Sequence, residues 1–266
     1  MQTTGLRMVQ PTEPRISVAH GTQEPKILFR SQAVWASVKG VEHLTDTISF
    51  IRFKIDGGTF DFQPGQFISI IVDKEGKNIS RPYSISSPPE RKDQLEICVR
   101  RVPDGFMSNY LCNLEPGAQV RLRGPLGRFV LLEPVLNDIV FIATGTGVAP
   151  FISMLGHIYS QGTDVDPARH FWLFLGVRYL KEMMYRDYLA KLSAENPNFH
   201  MVWVISRPEY PDWNGRKGHV QDFLKDEVKD PAGKHAYICG LRHMLEETKP
   251  LCEQMGFGLV RFEKWD

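Results

Sequence analysis

The hydrophobic rhythm of this chain changes once, at Glu133-Pro134, and that change constrains its fold more than any other feature. Before it, from about Gln32 to Leu132, short segments of strand character alternate with turns. Ala33–Val38, Thr47–Ile55, Gln66–Val72, Leu95–Arg101 and Gln119–Arg123 read as strands, with Gly57-Gly58, Pro64-Gly65, Glu75-Gly76 and Glu115-Pro116-Gly117 as turns. Strands so short and so closely spaced predict an antiparallel barrel or sandwich, with one short helix after Gly105. Beyond Pro134 the apolar runs Asp138–Ala143, Phe171–Val177, Phe199–Ser206 and His235–Cys239 alternate with helix-length segments. Those segments run to about Ser160, over Lys181–Leu192, His219–Val228 and Arg242–Met255, and Pro250 is expected to kink or shorten the last. Alternation of this kind predicts βαβ units and a parallel sheet that binds ligands at the carboxyl ends of its strands. The chain therefore divides into an irregular N-terminal arm (1–31), a barrel (32–133) and an α/β unit (134–266).

Composition narrows the chemistry. With 266 residues, 42% hydrophobic and 24% charged, the chain has enough apolar surface for ordinary cores, which excludes wholesale disorder. Lys plus Arg number 32 and Asp plus Glu 31, and a net charge of +1 argues against a nucleic-acid binder. Cys98, Cys112, Cys239 and Cys252 are scattered, without a C-x-x-C pair or a histidine cluster, so neither zinc nor a cysteine-held iron–sulfur cluster is expected. Thiols without a disulfide pattern fit a reducing cytoplasm. Apolar runs such as Phe171–Val177 are too short to span a bilayer, so no membrane role is expected.

Ala143-Thr144-Gly145-Thr146-Gly147-Val148-Ala149-Pro150 joins the first parallel strand to its helix. Glycine admits a phosphate close to the backbone, and unpaired N–H groups at a helix start favour negative charge. A tight turn without a ligand is the ordinary alternative, because the third glycine of the usual dinucleotide pattern is missing. Ser206-Arg207 closes the third parallel strand, and Arg216-Lys217 follows in the next loop. A hydroxyl beside a guanidinium suits an adenosine 2′-phosphate, against the plainer reading of a solvated basic loop. Cys239-Gly240 ends the fourth strand at the same edge, where the thiol either faces a ligand or serves as a small buried hydrophobe. In the barrel, Arg81-Pro82-Tyr83-Ser84 sets a cation, a ring and a hydroxyl at fixed spacing after a strand. Gly105-Phe106-Met107-Ser108 offers a second phosphate cradle.

In this order, Arg-Pro-Tyr-Ser (81–84), Gly-x-x-Ser (105–108), Gly-Thr-Gly-Val-Ala-Pro (145–150), Cys-Gly-Leu (239–241) and a terminal Glu-x-aromatic (263–265) resemble the ferredoxin–NADP⁺ reductase family, from about residue 32 to the end. The resemblance implies an FAD-binding Greek-key barrel followed by an NAD(P)-binding α/β domain, with hydride transfer at flavin N5. It implies FAD contacts for Arg81, Pro82, Tyr83, Ser84, Cys98, Val99, Arg100, Gly105, Met107, Ser108 and Trp265. Gly145, Thr146, Gly147, Ser206, Arg207, Arg216, Lys217, Cys239 and Gly240 would hold the nicotinamide nucleotide. Ser84, Cys239 and Glu263 would shape the reacting centre, and Trp265 would cover the flavin until nicotinamide displaces it. No metal is implied.

The function expected is electron exchange between NADP(H) and ferredoxin or flavodoxin. The basic residues Arg100, Arg101, Arg121, Arg123 and Arg128 in the flavin unit could meet such an acidic carrier. Asn214-Gly215-Arg216-Lys217-Gly218 also resembles the loop of NADH-using oxygenase reductases, which keeps open a reductase component working through a separate ferredoxin. A non-catalytic electron-transfer subunit is the third reading, and retention of Ser84, Cys239 and Glu263 argues against it.

Overall fold

The computed structural model describes residues 28–160, 165–209 and 213–265, with Trp265 described in its backbone alone. Nearly all of the expected arm therefore lies outside the described residues. Strands β1 (Gln32–Thr45), β2 (Ile48–Ile55), β3 (Phe67–Lys74), β4 (Lys77–Ser84), β5 (Gln94–Arg100) and β6 (Gln119–Leu126) form one sheet, with α1 (Phe106–Cys112) before the last strand. The strand order is β4-β3-β6-β1-β2-β5 and every pairing is antiparallel. A bridge between Ile85 and Ile97 brings the two edges together, so the sheet curls into a Greek-key barrel. Alternation builds it: Ala36, Val38, Ile51, Phe53, Ile68, Ile70, Val120 and Leu122 all point into one apolar cluster.

The second sheet is wholly parallel. Its strands are β7 (Ile139–Thr144), β8 (Phe171–Val177), β9 (Phe199–Ile205), β10 (Arg216–Lys217), β11 (His235–Leu241) and β12 (Leu259–Trp265). Their order is β10-β9-β8-β7-β11-β12, so the chain reverses direction across the sheet between β7 and β11. Helices α2 (Ala149–Ile158), α3 (Arg186–Glu195), α4 (Leu224–Glu227) and α5 (Arg242–Met255) join them. Central strands of such a sheet are covered on both faces, which explains the unbroken apolar run Ile139–Ala143.

Four local expectations change. Arg81-Pro82-Tyr83-Ser84 does not follow a strand but lies within β4, an edge strand whose exposed Lys77, Asn78 and Ser80 hide its character. Proline is tolerated at an edge because no partner needs its N–H. The Lys181–Leu192 helix starts only at Arg186, after a 3₁₀ turn over Leu180–Glu182 and a left-handed Tyr185 at φ 56°. His219–Val228 is a 3₁₀ turn followed by the four-residue α4. Helix α5 runs unbroken through Pro250, which is exposed, so water can take the carbonyl that the ring leaves unbonded. The strand β12, beyond the last expected helix, pairs in parallel with β11 from His235↔Leu259 onward.

The two sheets share a core, in which Ile48, Phe50 and Cys98 of the barrel join Phe129, Phe141 and Phe151. Polar groups fix the joint. The Ser153 hydroxyl donates to the Ser87 carbonyl at 2.8 Å, and His157 of α2 lies between Glu90 (2.6 Å) and Glu133 (2.8 Å). Burial alone would lower the His157 pKa, but the two carboxylates outweigh it and hold the imidazole above its usual value. A raised histidine stabilises the fold fully below about pH 6.5 and loses that contribution as pH rises through the folded-state value. The stability lost in His157→Gln should therefore be about 1 kcal/mol at pH 6 and shrink at higher pH. Urea unfolding across this range checks it; a loss independent of pH would contradict the clamp.

Candidate active site at the sheet switch point

A crevice of about 490 Å³ opens at the carboxyl ends of β7, β8, β9 and β11, where the strand order reverses. Of the residues singled out in the sequence, Gly145, Thr146, Gly147, Ser206, Arg207 and Gly240 line it. The turn after β7 is a 3₁₀ turn, Gly145–Val148, that leads into α2 with Pro150 in its first turn. Two glycines are required by close packing. A Cβ on Gly147 would stand 2.5 Å from the Cys239 carbonyl oxygen and 2.8 Å from the Gly240 Cα. Gly240, at φ 154°, leaves no room for a Cβ beside the Thr144 hydroxyl, which accepts the Leu241 N–H at 3.3 Å. The backbones of β7 and β11 thus close against each other beneath the crevice floor.

Arg100 reaches the same crevice from the barrel. Its Nη1 donates to the Glu182 carboxylate at 3.2 Å, and its Nη2 stands 3.5 Å from where a Cβ of Gly145 would be. Glu182 also accepts the Arg178 N–H at 3.1 Å. Arg178, Glu182, His219, Gln221 and His243 line the crevice too and were not singled out as ligands in the sequence. Each lies just beyond a strand or in a short turn, and only the strand-end rule could have marked them. The pair Arg216-Lys217 is set apart: Arg216 pairs with Glu227 and lies over the Phe223 ring, and neither residue lines the crevice.

A second cluster stands between the sheets. Ser84 and Glu263 are buried, and among the described residues Ser84 Oγ and Glu263 Oε2 have no hydrogen-bond partner. Glu263 sits opposite Cys239 in the β11–β12 register. A Cβ on Gly127 would touch the Phe67 ring and stand 4.0 Å from Glu263 Oε1, and Phe67 is the cross-strand partner of Ser84. Burial pushes the Glu263 carboxyl up to about 8, so at neutral pH it holds its proton. The Cys239 thiol itself is fully buried in the shared core, and its backbone carbonyl is what it presents to Gly147.

The remaining barrel residues occupy three settings. Arg81 and Pro82 are exposed on β4, with Arg81 donating to the Ser80 carbonyl, while Tyr83 is half-buried against the barrel core and its hydroxyl is pushed up to about 12 by burial. Val99 and Met107 belong to that core, and the Cys98 sulfur lies 3.7 Å from the Met184 sulfur. Ser108 accepts the Val102 N–H and donates to the Gly105 carbonyl, which folds the start of α1 on itself. The Trp265 side chain lies outside the described residues.

Unpaired buried polar atoms are costly, and a polar ligand edge brought to Ser84 Oγ and Glu263 Oε2 would relieve that cost. An exposed β4 edge on the barrel and a crevice at the strand ends of the parallel sheet fit an FAD on the barrel side and a nicotinamide nucleotide on the sheet side. Comparison with known proteins gives the same division. The oxidoreductase FAD-binding domain family matches residues 36–131, and the oxidoreductase NAD-binding domain family matches residues 141–249. Ferredoxin–NADP reductase B of Sorangium cellulosum (strain So ce56) is 33% identical over 231 residues, 84% of this chain and 93% of that protein. The reductase component of phenol 2-monooxygenase from Pseudomonas sp. (strain CF600) is 31% identical over 212 residues, 79% of this chain and 58% of that protein. The crystal structure of a ferredoxin NADP⁺ reductase from Neisseria gonorrhoeae with bound FAD and NADP superposes with a TM-score of 0.75 at 24% identity, covering 87% of this chain and 98% of that one.

Proposed function

The chain belongs to the ferredoxin–NADP reductase family, and on that premise we propose that it moves electrons between NADPH and a one-electron carrier of the ferredoxin or flavodoxin type. It is an FAD- and nicotinamide-nucleotide-dependent oxidoreductase. FAD, when bound, supplies the conversion between a two-electron hydride and single electrons.

The observation that carries this reading is a switch-point crevice in the same chain as two buried polar atoms, Ser84 Oγ and Glu263 Oε2, that have no hydrogen-bond partner among the described residues. Arg81 and Tyr83 would hold the FAD pyrophosphate and ring system from β4. Gly147 and Gly240, packed backbone to backbone, would hold the floor on which the nucleotide lies, with Thr146 N–H and hydroxyl groups turned to its phosphates. Ser84 and the protonated Glu263 can each donate a hydrogen bond at the reacting edge, and their burial excludes water from it. Ser206 and Arg207, at the end of β9, are the proposed 2′-phosphate contacts.

The FAD-loaded chain should be yellow and should bleach anaerobically with NADPH; a chain that binds no FAD would end this reading. Arg207→Ala is expected to lower kcat/KM for NADPH about 10- to 100-fold while leaving NADH turnover unchanged, as loss of a charged hydrogen bond to one phosphate requires. Equal losses with both nucleotides would remove Arg207 from that role.

A second reading, an NADH-dependent reductase component serving an oxygenase through a separate ferredoxin, is favoured by one observation. Arg216 is held by Glu227, so the basic pair does not add to the crevice. Steady-state kcat/KM that favours NADH over NADPH would select it.

A further inference from the structure

We propose that Arg261 is a positioning residue for the Glu263 carboxyl, fixing how that group is held against the barrel by gripping the segment that joins the two sheets. Arg261 is only 2% exposed, the largest of the fully buried side chains. Its Nη1 donates to the Val130 carbonyl at 3.1 Å and its Nη2 to the Arg128 carbonyl at 2.5 Å. It lies over the Tyr237 ring, whose hydroxyl accepts the Leu132 N–H. Two neighbouring residues of β11 and β12 thus hold the chain at 128, 130 and 132.

The guanidinium is an expensive way to fill this space. Burial depresses its pKa, and among the described residues its Nε has no hydrogen-bond partner and no carboxylate pairs with it. Apolar replacement of buried charge is often neutral or favourable for stability, so packing alone does not account for an arginine here. What an arginine provides is a planar fork that reaches two carbonyls at once. The gripped segment begins beside Gly127, the position next to Glu263 Oε1. Arg261 and Glu263 are two residues apart on β12, so their side chains share a face. One face of one strand therefore holds the connecting segment and presents the carboxyl to its beginning. Among the described residues, the other titratable group placed beside Glu263 is Cys239 on β11, opposite it in register. Losing the grip should loosen the carboxyl's surroundings and admit water.

This inference rests on the proposed role of Glu263, and its test separates the two. Arg261→Met, Arg261→Lys and Glu263→Gln would be compared with the parent chain, all FAD-loaded. The readouts are FAD content, nucleotide Kd, the rate of FAD reduction per bound FAD, and an infrared titration of the buried carboxyl band that Glu263→Gln removes. In Arg261→Met, FAD content and Kd should stay within about twofold while reduction slows about 10- to 100-fold. Removing the cation in Arg261→Met also favours the protonated carboxyl, so the midpoint is read in Arg261→Lys, which keeps the charge but lacks the fork that spans two carbonyls; there it should fall by about one unit toward the ordinary carboxylate range as water enters. Reduction in Arg261→Lys should lie between that of the parent and that of Arg261→Met. A midpoint that stays or rises in Arg261→Lys would overturn the proposal, as would FAD content and Kd lost in proportion to rate. A parent chain that nicotinamide nucleotides cannot reduce would defeat the proposed function instead, and the midpoint shift would still be measurable.

Discussion

Gly147→Ala is expected to destabilise the protein by about 3 kcal/mol and to abolish nucleotide binding, although one methyl group is all that it adds. The new Cβ would lie 2.5 Å from the Cys239 carbonyl oxygen and 2.8 Å from both the Cys239 carbonyl carbon and the Gly240 Cα. All three are backbone atoms of a central strand, and no rotamer change can move them aside. Relief requires β7 and β11 to part at the crevice floor, which spreads the turn that would hold the phosphates. Gly145→Ala is the internal control. At φ 54° it carries a left-handed cost of about 1–2 kcal/mol, but its Cβ would meet only the Arg100 guanidinium, at 3.5 Å. Urea unfolding and nucleotide titration of both variants test the contrast, with FAD retained on the barrel. A Gly147→Ala protein as stable as Gly145→Ala, and still binding nucleotide, would contradict the packing argument.

The second large effect is in pH. The Glu263 carboxyl, raised to about 8 by burial, keeps its proton in the folded chain while the unfolded chain releases it near pH 4.5. The folded state therefore binds more protons between these values, and stability falls as pH rises through that window. At about 1.4 kcal/mol per pH unit, the loss from this group amounts to roughly 3 to 5 kcal/mol by pH 8. Glu263→Gln preserves shape and hydrogen-bonding capacity without a proton to lose. It should match the parent chain near pH 5 and exceed its stability by roughly 3 to 5 kcal/mol at pH 8.5. The alkaline limb of turnover should move with it. Parallel stability curves for the two proteins across pH 4–9 would show that the carboxyl is not held protonated.

How much of this was legible beforehand depended on the range of the forces involved. The sequence pattern bounds the strand Phe171–Val177 to the residue, because a run buried on both faces writes its apolarity directly into the sequence. The turn at Gly145–Pro150 was legible for a similar reason: glycine, threonine and proline report backbone needs that are local. The edge strand β4 escaped notice because an exposed edge tolerates Lys, Asn, Ser and Pro, which erase the alternation. Tyr185 stopped the expected helix from starting at Lys181, since Glu182 is used instead to hold the Arg178 N–H and Arg100. Arg100, which the resemblance places on FAD, lines the crevice at the carboxyl ends of the parallel strands, and that depends on which way one side chain leaves β5 between two sheets. Spacing alone does not place the Cys239 thiol: β11 is buried on both faces, and the odd-numbered side decides that the thiol joins Tyr237 in the core shared with the barrel rather than Ala236 and Ile238 in the other.

By itself the sequence determined the two kinds of sheet, the change between them, and the ordered motifs that mark two cofactor-binding units, because alternation, turns and close-packed glycines are local requirements. The tertiary structure alone decided that Ser84 and Glu263 are buried with atoms left unpaired, that Glu263 keeps its proton, and that Arg100 and Arg261 tie the sheets together. Those properties arise from desolvation and from contacts between residues as much as 133 positions apart (128 and 261). Neither is encoded by any neighbour in the chain.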